Sequence, residues 1–341
     1  MKKIKISSNN ILLLITVALF VVMYGAGCIV YASKGFTHLQ TFLNVLINNA
    51  GLICVAAGTT CVMLTGGIDI SVGSLVAMDC MILAVGIEQK GMSSITLMIL
   101  ILAIGLVFGL AQGYLIAYLQ IQPFIATMAG MFFARGMTAV ICTEQVSIVS
   151  DAFFVGISNA KINIPFGIGA YMNKKGILQI PYVRPTVIVA LLVVVLIYLM
   201  LKYTKFGRSI YAVGGNQMSA TLMGLNVAKT KMLTYVLASF LCSIGGICYC
   251  LNTMCGTTTQ AGGYEMDAIS SAVIGGTLLT GGVGNIVGTL FGVLINGTIS
   301  ALVKSNGKLN SSWPNIITAV LLCFFIVLQA IFAKIKEAKK A

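Results

Sequence analysis

Polar residues interrupt this chain only at intervals. Apolar residues run from Ile11 to Tyr31, then over stretches at about 43–65, 71–87, 95–119, 121–142, 184–202, 230–251, 267–283, 284–303 and 314–333. Each stretch holds roughly 17 to 25 residues, enough for a helix to cross about 30 Å of hydrocarbon. A membrane barrel would show short alternating segments instead. The pattern predicts an all-α, polytopic membrane protein with about ten transmembrane helices. Residues 1–341 read as one membrane-spanning domain: a first half at about 11–142, an extracytoplasmic segment at 143–184, and a second half at about 184–333. The first run exceeds the roughly 7 to 15 residues of a signal-peptide core and is expected to remain as the first helix.

Composition agrees: 58% of the 341 residues are hydrophobic and 9% are charged, against roughly 25% charged in soluble domains. The formal charge is +13, but the basic residues sit in the gaps between runs and at the ends, so they read as topology signals and not as a nucleic-acid face. The ends, with Lys2, Lys3 and Lys5 among their residues, and the 202–231 loop together hold twelve Lys and Arg; the gaps on the other side hold eight, four of them spread over 143–184. Both termini are therefore expected in the cytoplasm. The long segment, with Pro165, Pro181 and Pro185, exceeds an ordinary loop and is expected to carry short helices. Ten Cys without C-x-x-C spacing, and His38 as the only histidine, read as small apolar helix residues, with no metal site.

One motif occurs twice. Leu64-Thr-Gly-Gly-Ile-Asp-Ile-Ser-Val-Gly-Ser-Leu75 returns 215 residues later as Leu279-Thr-Gly-Gly-Val-Gly-Asn-Ile-Val-Gly-Thr-Leu290, with seven of twelve positions identical. Paired glycines breaking apolar runs at matching places in two halves point to a transporter's substrate path. A second shared device is Gly105, Gly109 and Gly113 in one run and Gly284, Gly288 and Gly292 in another, spacing that lets helix backbones approach closely. Counting runs gives both copies of the motif the same orientation. Inverted repeats are common among transporters, so either the repeat is parallel or the helix count is off by one.

No G-x-x-x-x-G-K-[ST] loop occurs, and a single histidine leaves no nucleophile–base pair, so no catalytic residue is assigned and no P-loop ATP hydrolysis is expected. In the 202–231 loop, Gly214-Gly215-Asn216-Gln217-Met218-Ser219-Ala220-Thr221-Leu222-Met223-Gly224 reads as a short helix. Asn216 suits its N-cap and Gly224 the residue just past its end. So short a helix needs something to pack against: a partner at the cytoplasmic face, or its own bundle.

The Gly-Gly-Asn-x-x-x-Ala-x-x-x-Gly run resembles the coupling segment of permease subunits of ATP-binding-cassette importers. Thr65-Gly-Gly-Ile-Asp-Ile-Ser-Val-Gly73 is similar to the signature of their ribose-type sugar branch. The resemblance extends over nearly the whole chain, through Gln122-Pro-Phe-Ile-Ala-Thr127 and Ala272-Val-Ile-Gly-Gly-Thr-Leu-Leu-Thr-Gly-Gly-Val-Gly284. Within that branch it is most similar to galactofuranose permeases, through Met131-Phe-Phe-Ala-Arg-Gly136 and Gly281-Gly-Val-Gly-Asn-Ile-Val-Gly-Thr-Leu-Phe-Gly292. It implies a permease that moves a monosaccharide of the galactofuranose, ribose or galactose class. The implied partners are a second identical or homologous permease, a cytoplasmic ATP-binding subunit, an extracytoplasmic sugar-binding protein and the bilayer of the bacterial inner membrane. ATP and magnesium would be held by the ATPase, with no cofactor on this chain. The ATPase-coupling residues would be Gly215, Asn216, Met218, Ser219, Ala220, Met223 and Gly224. Where many importers carry Glu-Ala-Ala, this chain has Met218, Ser219 and Ala220, which leaves the helix but removes its charged anchor.

The expected translocation path takes Gly66, Gly67, Gly281 and Gly282 from the breaks, with Asp69 and Ser71 beside the first. Asp69 has two readings, a functional carboxylate within a membrane segment or an acceptor for backbone N–H groups at a helix start; the second is the stronger. Asp79 is a further carboxylate whose facing is open. Gln112, Phe124, Asn285 and Asn296 complete the path as amides and aromatics able to meet a sugar, although amides also join helices for structural reasons alone. Arg135 is expected to snorkel to the outer surface. Two rival readings are an ion-coupled secondary transporter, which needs more buried carboxylates than eight acidic residues offer, and a membrane scaffold.

Overall fold

In a computed structural model that describes residues 8–165, 168–172, 178–310 and 312–338, the described residues form thirteen α-helices. In order these are α1 (Ser8–Val30), α2 (Leu39–Leu64), α3 (Val72–Glu88), α4 (Ser94–Ala117), α5 (Pro123–Ile141), α6 (Ala152–Asn159), α7 (Pro185–Tyr203), α8 (Lys205–Gly215), α9 (Gln217–Leu222), α10 (Val227–Thr253), α11 (Tyr264–Ile274), α12 (Ile286–Asn306) and α13 (Trp313–Ala338). Lys2, Lys3, Lys5 and Lys174 lie outside the described residues.

The bundle is built around α2, in which every residue from Ala50 to Leu64 is buried. Helices α10, α12, α7 and α11 enclose it, keeping its small and polar residues Gly51, Gly58, Thr59 and Thr60 buried against protein instead of lipid. Helices on the outside show the reverse: Ile29, Val107 and Val140 are 82%, 66% and 78% exposed, as lipid-facing side chains should be.

Eight helices, α1, α2, α4, α5, α7, α10, α12 and α13, are long and apolar enough to cross a membrane. The chain is thus an all-α, multi-pass membrane protein. The other two of the ten expected crossings are shorter. At 1.5 Å per residue, α3 reaches about 25 Å and α11 about 17 Å, and each adjoins a non-helical stretch, 65–71 and 275–285. The run 267–283 was expected to be helical throughout, yet the helix stops at Ile274. Gly276, Gly281 and Gly282 hold φ at +92°, +87° and +73°, a left-handed backbone that no α-helix contains.

Contacts along the helices settle the sense of the repeat. Helix α2 is antiparallel to α10, with Gly58 against Ala238 and Gly51 against Gly245, and antiparallel to α12, with the Thr60 and Thr289 hydroxyls 2.8 Å apart and Gly297 against Val45 and Asn49. Helix α3 runs with α10: Cys242 Sγ lies 3.1 Å from the Val72 carbonyl, and Cys80 Sγ 3.7 Å from that of Gly246. Helices α11 and α12 are antiparallel, with Ser271 against Gly292 and Gly275 against Gly288. Both copies of the motif therefore run the same way, and the repeat is parallel.

The first glycine triplet packs as its spacing predicts; of the second, Gly288 and Gly292 do, whereas Gly284 lies in the break before α12, against the Thr277 side chain. A Cβ on Gly109 would sit 2.7 Å from Val236 Cα, and one on Gly113 2.8 Å from the Met232 carbonyl oxygen, so α4 lies backbone-to-backbone on α10. Gly288 and Gly292 bring α12 equally close to the Gly275 and Ser271 carbonyls.

Between α5 and α7 the described chain forms one helix, α6, and two two-residue antiparallel strand pairs, Ile162–Asn163 with Tyr182–Val183 and Tyr171–Met172 with Leu178–Gln179, while Val146–Ser147 pairs with Cys255–Gly256 beyond α10. Several short helices were expected there. Asp151 caps α6, accepting from the Phe153 and Phe154 amides at 2.8 and 3.0 Å, and accepts from the Ser94 amide at 3.3 Å. The bond from Phe154, with the others, holds its carboxyl below the usual range. This segment covers one end of the bundle; α8 and α9, with Lys205, Arg208, Lys229 and Lys231 around them, form the other, here called the basic end.

Candidate functional site

The two glycine breaks meet. Gly66 turns the chain at the end of α2 with φ +78°, its amide bonded to the Met63 carbonyl at 2.9 Å. From the other break, the Gly282 amide donates to the Leu64 carbonyl at 2.9 Å. A Cβ on Gly281 would fall 2.7 Å from the Gly66 nitrogen, and one on Gly66 3.4 Å from the Thr280 carbonyl oxygen. Only glycine permits backbones this close, and only glycine adopts these dihedrals at little cost.

The end of α8 joins them. A Cβ on Gly214 would overlap the Leu64 carbonyl oxygen and lie 2.5 Å from the Gly282 nitrogen, and Tyr211 Oη donates to the Gly284 carbonyl at 3.0 Å. One residue later α9 begins. Asn216 Oδ1 accepts from the Ser219 amide at 2.8 Å, as an N-cap does, and Gly224 closes the helix at φ +78°. Met218, Leu222 and Met223 are 73%, 83% and 67% exposed, and Ser219 is exposed beside them. Ala220, expected among the residues offered to a partner, instead faces its own bundle and is fully buried.

A second cluster forms at the start of α3. Asp69 Oδ1 accepts from the Ser71 amide at 2.9 Å and from Ser71 Oγ at 2.6 Å, and Ser71 Oγ also lies 3.3 Å from Gln112 Oε1 on α4. Asp69 thus closes a local turn at Ser71, the residue just before α3, and lies three residues ahead of Val72 without bonding an amide of the helix itself. All three are buried. Asp79, one of the residues left open by the sequence, is fully buried against Gly246.

The remaining path residues stand apart. Asn285 caps α12 through the Val287 amide at 3.0 Å. Asn296 is spent on neighbours: its Nδ2 donates to Ser270 Oγ at 3.1 Å and Ser271 Oγ at 2.9 Å, and its Oδ1 accepts from Thr318 at 3.4 Å, joining α12 to α11 and α13. Phe124 is half-exposed near the start of α5. No cluster of three or more His, Cys, Asp or Glu among the described residues could hold a metal ion.

One opening was not foreseen. At the end opposite the basic one, a cavity of about 780 Å³ is lined by Asn44, Asn48 and Asn49 of α2, by Tyr249 and Thr253 of α10, by the loop carrying Thr257, Thr259 and Gln260, and by Tyr264, Asp267 and Lys304. The one local signal was three asparagines within six residues of an apolar run. The rest converge from helices far apart in sequence. Gln260 braces the loop, accepting from the Thr257 amide and donating to Thr253 Oγ1, each at 2.9 Å. Arg135 braces it from α5: its Nη1 donates to the Thr258 and Gln260 carbonyls at 3.0 and 2.7 Å. The expected snorkelling is thus replaced, because two backbone acceptors lie within the guanidinium's reach.

A family of known proteins matches this arrangement. The family described as "Branched-chain amino acid transport system / permease component" matches residues 41–327. The inner membrane ABC transporter permease protein YjfF of Escherichia coli (strain K12) is 39% identical over 321 residues, 94% of this chain and 92% of its own. The fructose import permease protein FruG of Bifidobacterium longum (strain NCC 2705) is 34% identical, over 99% and 96% of the two chains. The ribose import permease protein RbsC of Escherichia coli (strain K12) is 35% identical, over 87% and 88%. No solved structure matches the chain. Since the matched region takes in both breaks, the capped α9 and the polar cavity, the chain belongs to this family of transport-system permease components.

Proposed function

We propose that this chain is the membrane-spanning subunit of an ATP-binding-cassette importer for a monosaccharide. The carrying observation is α9: a capped helix of six residues that, with Met223 at its C-cap, turns three large apolar side chains to solvent at the basic end, a surface that a soluble partner would cover. That partner is the cytoplasmic ATP-binding subunit, which holds ATP and magnesium, while this chain binds no cofactor and catalyses no reaction. Both termini face the cytoplasm, and the polar cavity opens to the opposite side, toward an extracytoplasmic sugar-binding protein. A second permease, identical or homologous, completes the complex.

The cavity supports sugar over a branched aliphatic amino acid. Amides, hydroxyls, phenols, Asp267 and Lys304 supply donors and acceptors along its wall, and Val45, Ala261 and Ala301 are its only aliphatic side chains; hydroxyl-rich ligands need such donors and acceptors. Relatives named for ribose, fructose and galactose agree. The path runs from this cavity past the Asp69–Ser71–Gln112 cluster to the glycine breaks. Reconstitution of the chain with its ATPase and binding protein in vesicles, offered labelled D-ribose, D-galactose, D-galactofuranose, D-fructose and L-leucine, tests the reading. ATP-dependent uptake of one sugar is expected. Uptake of leucine alone, or uptake driven by an ion gradient without ATP, would overturn it.

A further inference from the structure

Three glycine pairs, 66–67, 214–215 and 281–282, come together at the basic end. The first and third break helices on either side of the path, and the second ends α8, one residue before α9. Each contact among them is between main chains: Gly282 N–H to the Leu64 carbonyl, Gly281 against Gly66, Gly214 against both Leu64 and Gly282, and Gly282 against Gly215, where a Cβ on Gly282 would stand 2.7 Å from Gly215 Cα. Side chains can absorb a small shift by changing rotamer. Main chains in direct contact cannot, so a displacement of one strand of backbone moves the others or breaks the contact.

We infer that the last turn of α8, Tyr211–Gly215, carries movement of α9 to the two helix breaks, and that Gly214 is the positioning residue that lets the three backbones touch. The inference rests on the importer reading, which supplies the force on α9. It adds the place where that force enters the path. Tyr211 supplements the contact, since its hydroxyl bonds the Gly284 carbonyl on the α12 side of the second break. Gly215 is less constrained, with nothing within 4 Å of where its own Cβ would stand.

The test uses the full complex in vesicles with whichever sugar the wild-type complex imports, and reads basal ATP hydrolysis, hydrolysis stimulated by sugar-loaded binding protein, and uptake. Gly214→Ala is expected to assemble and to keep basal hydrolysis, yet to lose uptake and stimulation by about ten-fold or more, the size of an ordinary coupling free energy. Gly215→Ala is expected to lose less than about three-fold, because its methyl group meets open space. Tyr211→Phe, which removes one hydroxyl and adds no volume, is expected to lower uptake about three-fold, and it keeps the inference testable if Gly214→Ala does not accumulate. Spin labels at Thr221→Cys and Leu279→Cys, with Cys28, Cys142, Cys255 and Cys323 replaced by Ser, add a direct reading: ATP should shift both labels together in the wild type, and the 221 label alone in Gly214→Ala. If wild type shows no ATP-dependent uptake, the importer reading itself fails. If wild type imports but Gly214→Ala and Tyr211→Phe transport at its rate, or if the 279 label stays still while the 221 label moves in wild type, the joint is packing and the inference is wrong.

Discussion

Arg135 offers the sharpest check on the cavity. The loop it holds contains two non-glycine residues in left-handed backbone, Met254 at φ +53° and Ala261 at φ +52°. Such a conformation costs an L-residue roughly 1–2 kcal/mol, so the loop stores about 2–4 kcal/mol. Against this stand two charge-assisted hydrogen bonds from Arg135, each contributing about 1.5–3 kcal/mol when shielded from water. The guanidinium is only partly buried, and water recovers about half of that when the bonds are lost, leaving roughly 1.5–3 kcal/mol. Opposing terms of equal size mean that Arg135→Met should let the loop leave its ordered position, with a population shift of about 30-fold for 2 kcal/mol. Cys255 reports the change, because it is partly buried and sits at the loop's root, paired with Ser147. With Cys28, Cys142 and Cys323 replaced by Ser, maleimide should label Cys255 in Arg135→Met about ten-fold faster than in the parent. Sugar half-saturation should rise in parallel, and Arg135→Lys should fall between the two. Labelling and half-saturation both at the parent's values would refute the argument that this arginine shapes the cavity.

Further outcomes follow from other contacts. Met218→Asp combined with Leu222→Asp, at positions 73% and 83% exposed, should abolish pull-down of the ATPase while leaving membrane insertion intact; retained pull-down would place the docking surface elsewhere. Gly109→Leu forces a side chain against Val236 Cα and should lower stability by about 1–3 kcal/mol, read as a lower Tm in detergent. Asp151→Ala removes the acceptor that caps α6, and protease susceptibility of the 143–165 segment reads the loss. Since the folded carboxyl is held below its ordinary value, its contribution is complete above an unfolded pKa of about 3.9 and fades as pH falls through the lower folded value. Wild type and variant should therefore differ at pH 7 and converge in acid; a difference that persists unchanged at low pH would show that charge is not what matters at Asp151.

Much of the bundle was legible because lipid leaves a helix few options: long apolar runs must close their own hydrogen bonds, and the runs that became α1, α3, α4, α7 and α12 ended close to their expected limits. The run at 267–283 misled because Leu278, Leu279 and Val283 are as apolar as any helix residue, while the left-handed glycines between them decide the backbone. Asn216 and Gly224 were recognisable because capping is local. Ala220 was not, because which face of α9 meets the bundle depends on how α8 arrives. The path was legible in part: both breaks were found, but their meeting with Gly214 depends on three segments separated by more than sixty residues. Asn296 illustrates the opposite failure, since an amide suited to a sugar turned out to be occupied by Ser270, Ser271 and Thr318.

The parallel sense of the repeat bears on how such a chain could have arisen. From α2 up to α11 the polypeptide passes through α2, α3, α4, α5, α7 and α10, an even number of passages. A segment that traverses the bilayer an even number of times hands its duplicate to the insertion machinery the same way up as the original. The same Lys and Arg bias then orients both copies. Inverted repeats face a harder history, because their ancestor must have been stable in both orientations before fusion. A tandem duplication of this sort needs no such ancestor, and the two glycine motifs could meet in the first chain that carried them both.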